Sequence, residues 1–232
     1  EFPELTVEQA YAIQSEGVRR RAVGGVVVSG AKLGLTSEAK QQQMHVASPI
    51  YGWMTSDMLL DTAQPLDTSR FIHPRCEPEI GFLLGKDLLG AHVSAAHVLD
   101  ATALVFGAID VLDSRFAGYA FRHADVVADN ASCGAYALGP VGVPPVGIDL
   151  AAERVVLRKN GLQLHEATGA AVLGHPAASI AWMVRTLAAR GEGLREGHVL
   201  LCGSLTEAVE VAPGDVVTAE FDHLGTVAVH CI

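Results

Sequence analysis

Cationic residues are scarce in this 232-residue chain: 16 Lys and Arg stand against 26 Asp and Glu, a formal net charge of −10. That balance argues against a nucleic-acid partner, because neutralising phosphates takes clustered Lys and Arg. The only dense basic run, Arg19-Arg20-Arg21, falls at the end of an expected helix, where the dipole favours cations. Cysteine is equally sparse. Cys76, Cys133, Cys202 and Cys231 are far apart and form no C-x-x-C pair, which excludes a disulfide framework or zinc knuckle and favours a reducing, cytoplasmic compartment. Apolar runs of membrane-spanning length are missing too, since Gly, Pro or a charge interrupts each one. The chain opens on Glu1-Phe2-Pro3 with neither Met nor a signal-like segment, and so reads as a piece lacking its original N-terminus. There is no repeat, low-complexity tract, obvious linker or Gly-rich nucleotide fingerprint.

What is present is apolar and rich in turns. Half the residues are hydrophobic and 24 are Gly, enough to bury a substantial core and contrary to disorder. The length fits a single domain over residues 1–232, with 1–25 as an N-terminal helical segment. Thr6 can cap a helix carrying Val7, Ala10, Tyr11 and Val18 on one stripe and ending near Arg21. Val26-Val27-Val28 leads as a strand into Lys32-Leu33-Gly34, and Ser37 can cap a short helix through Met44. A strand-rich stretch follows from Arg70 to Leu84, then a helix from Ser94 to Leu104 and a buried strand from Val105 to Leu112. Lys159-Asn160-Gly161 predicts a hairpin between Val155 and Leu164, because Asn-Gly suits a type I′ turn. Pro176 opens a helix burying Ile180, Met183, Val184 and Leu187. Three short strands close the chain: His198–Cys202, Val216–Phe221 and Thr226–His230. Strands outnumber helices and few crossovers are evident, so an α+β domain around an antiparallel or mixed sheet is expected over a doubly wound one.

The chemistry concentrates in His73-Pro74-Arg75-Cys76-Glu77-Pro78-Glu79-Ile80. On a strand, Glu77 and Glu79 point to one face. Two adjacent carboxylates repel unless a cation lies between them, and a hard divalent ion such as Mg²⁺ or Mn²⁺ supplies one; a solvated strand face is the plainer alternative. Asp110, inside the apolar Val105–Leu112 run, needs a partner: Arg115, a backbone N–H, or a metal shared with the two glutamates. Lys32 can bind a substrate carboxylate or move protons, or it can be an edge lysine that snorkels. Asp129-Asn130-Ala131-Ser132-Cys133-Gly134 suits ligand binding and equally an ordinary turn. His175, before Pro176, reads as shaping the helix entry.

Together these segments resemble the fumarylacetoacetate hydrolase superfamily, in its branch of dienoate hydratases and oxalocrotonate decarboxylases. The resemblance runs nearly the whole chain, through Lys32-Leu33-Gly34-Leu35-Thr36-Ser37, the Glu77/Glu79 strand, Asp113-Ser114-Arg115, Val127-Ala128-Asp129-Asn130, Val172-Leu173-Gly174-His175-Pro176 and Val211-Ala212-Pro213-Gly214-Asp215. It implies a rolled mixed β-sheet flanked by helices. It also implies Glu77, Glu79 and Asp110 as ligands of Mg²⁺ or Mn²⁺, with Asp110 standing where the branch usually has Glu. Lys32, Asp57 and Ser132 match positions linked to substrate binding or proton transfer. The activity implied is a lyase that decarboxylates 2-oxo-3-hexenedioate to 2-hydroxypenta-2,4-dienoate in the meta-cleavage catabolism of aromatic compounds. The alternatives are hydration of that dienoate to 4-hydroxy-2-oxopentanoate and, outside enzymes, a catalytically silent metal- and dicarboxylate-binding subunit. A homo-oligomer is implied as well, alone or with the companion hydratase or decarboxylase.

Overall fold

The computed structural model describes residues 2–37 and 48–232. Residues 38–44 of the helix expected from Ser37 through Met44 therefore fall outside the described residues. Strands β1 (Val28–Gly34), β2 (Ile50–Thr55), β3 (Arg75–Leu84), β4 (Thr102–Leu112), β5 (Cys133–Val143) and β8 (Val199–Leu201) form one sheet in the order β2–β1–β8–β3–β4–β5, with the short β9 (Val209–Glu210) on β3. Strands β6 (Arg154–Lys159), β7 (Leu162–Thr168), β10 (Val216–Phe221) and β11 (Gly225–His230) form a second, in the order β11–β10–β6–β7. The β1–β8 pair is parallel and the other pairs are antiparallel, so the larger sheet is mixed. The α+β class with a mixed sheet flanked by helices stands as expected. The second sheet lies against the first where the Phe221 ring covers Gly107; a Cβ at that glycine would stand 2.5 Å from the ring.

Four α-helices flank the strands among the described residues: α1 (Val7–Ala22), α2 (Ala95–Ala101), α3 (His123–Ala128) and α4 (Pro176–Ala188). Thr6 and Gln9 close a capping box on α1. The helix is fastened to the body through a buried amide: Gln14 Nε2 donates to the carbonyls of Tyr51 and Val127, both at 2.9 Å. Helix α4 begins as its sequence predicts. His175 Nδ1 accepts the Ala177 N–H at 3.1 Å, Pro176 occupies the first turn, and Ile180, Met183, Val184 and Leu187 are buried. The Asn160-Gly161 turn joins β6 to β7 with both residues at positive φ (54° and 79°), as a type I′ turn requires.

Strands β2 and β5 and helix α3 were not foreseen in the sequence, and one expected helix is shorter than its sequence suggested. The helix expected to reach Leu104 stops at Ala101, where the Thr102 hydroxyl donates to the Val98 carbonyl at 2.7 Å and β4 begins. Pairing of β4 along the whole of β3 outweighs the helix propensity of Ala103 and Leu104. Between β8, which pairs Gly81–Leu83, and β9, which pairs Arg75–Cys76, the edge of β3 lacks a partner strand over residues 77–80. Pro78 sits in that gap. The Leu205 N–H donates to its carbonyl at 3.0 Å and the Cys202 N–H to that of Ile80 at 3.2 Å. The backbone of Pro78 therefore faces the loop after β8 rather than β4, and its missing N–H breaks no ladder bond. The same gap admits the loop 202–208 to the glutamate strand.

Candidate metal centre and substrate cavity

Antiparallel pairing sets Asp110 directly opposite Glu77, and alternation puts Glu79 on the same face. The three carboxylates each offer an oxygen within 4.8 Å of the others, and all three residues are buried. The solvated-face alternative for the glutamates is thereby overturned. Lys32 reaches the cluster from β1 through register: it pairs with Leu201 of β8, which pairs with Gly81, two residues beyond Glu79. Its Nζ lies 2.7 Å from Asp110 Oδ2, with the lysine side chain only 2% exposed. Lys32 is thus a buried ion-pair partner between two strands, not an edge lysine. Arg115, one partner considered for Asp110, instead grips Asp129 through its Nε and its backbone N–H.

Burial alone would lower the pKa of Lys32, but Asp110 foremost, with Glu79 and Glu77, outweighs it and holds the ammonium above its ordinary value. Glu79 goes the other way. Burial, then the Asp110 charge, push its carboxyl well above the usual carboxylate range, opposed by Lys32 and the Gly203 N–H. That N–H donates to Glu79 Oε2 at 2.6 Å, whereas the buried Oε1 has no hydrogen-bond partner among the described residues. A buried carboxylate oxygen without a hydrogen-bond partner among the described residues, beside two more carboxylates, suits a hard divalent cation.

Gly203 is built for its task. Its φ is +105°, and an added Cβ would stand 2.2 Å from Thr36 Oγ1, so only glycine brings this N–H onto Glu79. The preceding carbonyl, that of Cys202, is held from α4 by the buried Ser179 hydroxyl at 2.7 Å.

Above the carboxylates opens a cavity of about 700 Å³, whose wall includes Lys32, Arg75, Glu77, Tyr119, Ser132 and Thr206. Ser132 arrives there at a conformational cost. Asn130, Ala131 and Ser132 have φ of 53°, 52° and 54°, three successive non-glycine residues in the left-handed region, each costing on the order of 1 kcal/mol or more. The Asn130 amide fixes the turn by bonding both the N–H and the carbonyl of Trp53 at 2.8 Å. Gly52 makes room for it, since a Cβ there would meet the Asn130 carbonyl at 2.3 Å. The Ser132 hydroxyl is buried with no hydrogen-bond partner among the described residues.

The structure therefore gathers Lys32, Ser132, Glu77, Glu79 and Asp110. Asp57 does not join them. It lies just past β2, accepting from the Thr55 hydroxyl at 2.7 Å and from Arg21 of α1 at 2.6 Å, and it is not among the residues of the cavity wall. Burial tends to raise its carboxyl, and the Thr55 and Arg21 contacts more than offset that. Two contributors escaped the sequence reading. Gly203 follows an apolar strand with nothing to mark its N–H as aimed at an acid. Arg75 was findable, since the alternation that aligns Glu77 with Glu79 places it on the same face.

Comparison with known proteins fits this geometry. The family model described as Fumarylacetoacetate (FAA) hydrolase C-terminal matches residues 26–231. The chain is 40% identical over 232 residues to a 4-oxalocrotonate decarboxylase of Pseudomonas sp. (strain CF600), covering 100% of this chain and 88% of that protein. It is 39% identical over 226 residues to a 2-keto-4-pentenoate hydratase of Paraburkholderia xenovorans (strain LB400), covering 97% and 84%. The solved 4-oxalocrotonate decarboxylase from Pseudomonas putida G7, complexed with magnesium and adipate, superposes with a TM-score of 0.96 at 38% identity, covering 100% of this chain and 88% of that one. By family match, identity and fold, the chain belongs to the fumarylacetoacetate hydrolase family.

Proposed function

We propose that the protein is a Mg²⁺-dependent lyase that decarboxylates 2-oxo-3-hexenedioate to 2-hydroxypenta-2,4-dienoate. The observation that carries this reading is the buried Glu77–Glu79–Asp110 cluster with its orphaned Glu79 oxygen, opening onto a cavity sized for a small acid. The relatives named as decarboxylases supply the reaction. Mn²⁺ has the same preference for oxygen ligands and can take the place of Mg²⁺. When bound, the ion supplies Lewis acidity toward the 2-oxo acid end of the substrate.

The chain's own residues do the rest. Glu77, Glu79 and Asp110 hold the ion, with the Gly203 N–H keeping Glu79 in place. The distal carboxylate leaves as CO₂. Its bonding pair moves through the double bond toward the 2-oxo oxygen, which takes up a proton to give the 2-hydroxydienoate. Lys32, kept charged by Asp110, faces the end where that negative charge grows and stabilises it in a water-poor setting. The Ser132 hydroxyl, buried in the cavity wall and already stripped of competing partners, is free to bond the substrate.

Hydration of the dienoate is the second reading, favoured by relatives named as hydratases at 39% identity. It needs the same 2-oxo acid end on the same carboxylates and differs in adding water instead of releasing CO₂. Offering purified protein each substrate with Mg²⁺, while following CO₂ and dienoate absorbance, separates the two. CO₂ release with accumulation of dienoate is expected. Consumption of dienoate without any CO₂ from 2-oxo-3-hexenedioate would assign the hydratase instead.

A further inference from the structure

Apart from Lys32, the cavity wall holds a second cation among its described residues, Arg75. Lys32 is ion-paired with Asp110 at 2.7 Å, with its side chain only 2% exposed. Arg75 is placed differently. It opens β3 on the face shared by Glu77 and Glu79, and one two-residue step of a strand sets it about 7 Å from Glu77 along the chain axis. Its guanidinium lies over the Tyr119 ring, 4.2 Å from the centroid, and the Tyr119 hydroxyl is tied to the His73 carbonyl at 3.2 Å. The plane of the guanidinium is thus supported by an aromatic platform that is itself anchored. Its ionic partner is Glu210, whose side chain is 78% exposed, at 2.8 Å. Such a rim pair contributes little and exchanges readily with another carboxylate.

We infer that Arg75 is the carboxylate anchor of the cavity: it binds a carboxylate of the 2-oxo acid held beside Glu77, Glu79 and Asp110. The inference rests on the 2-oxo acid reading above. Arginine suits the task because its planar fork meets a carboxylate with two parallel N–H···O bonds, and stacking on Tyr119 fixes its orientation beforehand. The carboxylate bound is either the distal one of a diacid or the proximal one beside the oxo group, and the two respond differently to chain chemistry. Glu210 then acts as a placeholder that keeps the guanidinium paired until the ligand displaces it.

Titration calorimetry with 2-oxohexanedioate and 2-oxohexanoate, each with and without Mg²⁺, tests this on wild type, Arg75→Met, Arg75→Lys and Glu210→Gln. Losing a charge-assisted pair should weaken binding about ten- to a hundredfold in Arg75→Met, with partial recovery in Arg75→Lys. Glu210→Gln, which removes the competitor, should bind more tightly than wild type. Thermal unfolding of each variant guards against loss of fold. A loss confined to the diacid assigns the distal carboxylate; an equal loss for both acids assigns the proximal one. Unchanged affinity for both acids in a folded Arg75→Met would overturn the inference. Wild-type binding that is indifferent to Mg²⁺ would instead sink the metal reading while leaving the Arg75 comparison intact, because that comparison reports carboxylate affinity alone.

Discussion

Glu79→Gln should abolish Mg²⁺-dependent turnover while making the metal-free protein more stable. The two effects have one cause. Glu79 is fully buried, its Oε1 lacks a hydrogen-bond partner among the described residues, and Asp110 and Glu77 stand beside it. Without a cation its ionised form is disfavoured by burial first and by Asp110 second. The amide of Gln removes one charge and offers N–H donors to the neighbouring carboxylates, while its oxygen can keep the Gly203 N–H. Metal-free stability should rise, because a buried carboxylate beside two others is replaced by a neutral amide. Activity should fall by at least about a hundredfold, since losing even an outer-shell partner of a metal site costs 10–100-fold. The pH dependence has a definite sign. The pKa of Glu79 is raised in the folded protein, so its contribution to stability is fully present below the unfolded value of about 4.3. That contribution is lost as pH rises through the raised folded value. Glu79→Gln should lack that loss. Thermal unfolding across pH, beside steady-state rates, checks both halves, and a variant less stable than wild type at neutral pH without metal would contradict the charge argument.

Lys32→Met should have the opposite effect on stability. The lysine is ion-paired with Asp110, and both side chains are out of solvent. Removing one member of a buried pair leaves an uncompensated charge and typically costs about 3–5 kcal/mol. A divalent ion would restore much of the missing counter-charge, so saturating Mg²⁺ should shrink the deficit. Denaturant melts with and without Mg²⁺ read this directly. A deficit of the same size in both conditions would mean that no cation enters the carboxylate cluster. Turnover should be lost even where Mg²⁺ restores the fold, because charge growing on the 2-oxo end would lose its ammonium.

Much of this site was legible in the sequence because strand alternation is a rigid rule. Two residues' spacing aligned Glu77 with Glu79, and an acid inside an apolar run singled out Asp110. The pairing of Asp110 with Lys32 was not legible, since it depends on the order β1–β8–β3–β4, which brings together residues 78 apart. Among the elements, the helices opened by Thr6, Ser94 and Pro176 and the Asn-Gly hairpin were evident from local chemistry, whereas α3 was not. Strand β5 was hidden by Gly134, Gly139, Pro140 and Gly142, which read as loop punctuation. Tertiary packing accounts for such residues: a Cβ at Gly142 would stand 2.4 Å from the Phe106 ring, so that glycine reports close approach, not a turn. The left-handed turn at Asn130–Ser132 was equally invisible, because nothing in Asn-Ala-Ser announces three positive φ values held by Trp53 and Gly52.

The central claim, that Glu77, Glu79 and Asp110 hold one divalent ion, is tested most directly by titrating Mg²⁺ into chelator-treated protein by calorimetry. The account predicts a single site per chain in the wild type and no measurable binding in Glu79→Gln. Wild-type protein that binds no Mg²⁺ or Mn²⁺, or a Glu79→Gln variant that binds as tightly as wild type, would contradict it.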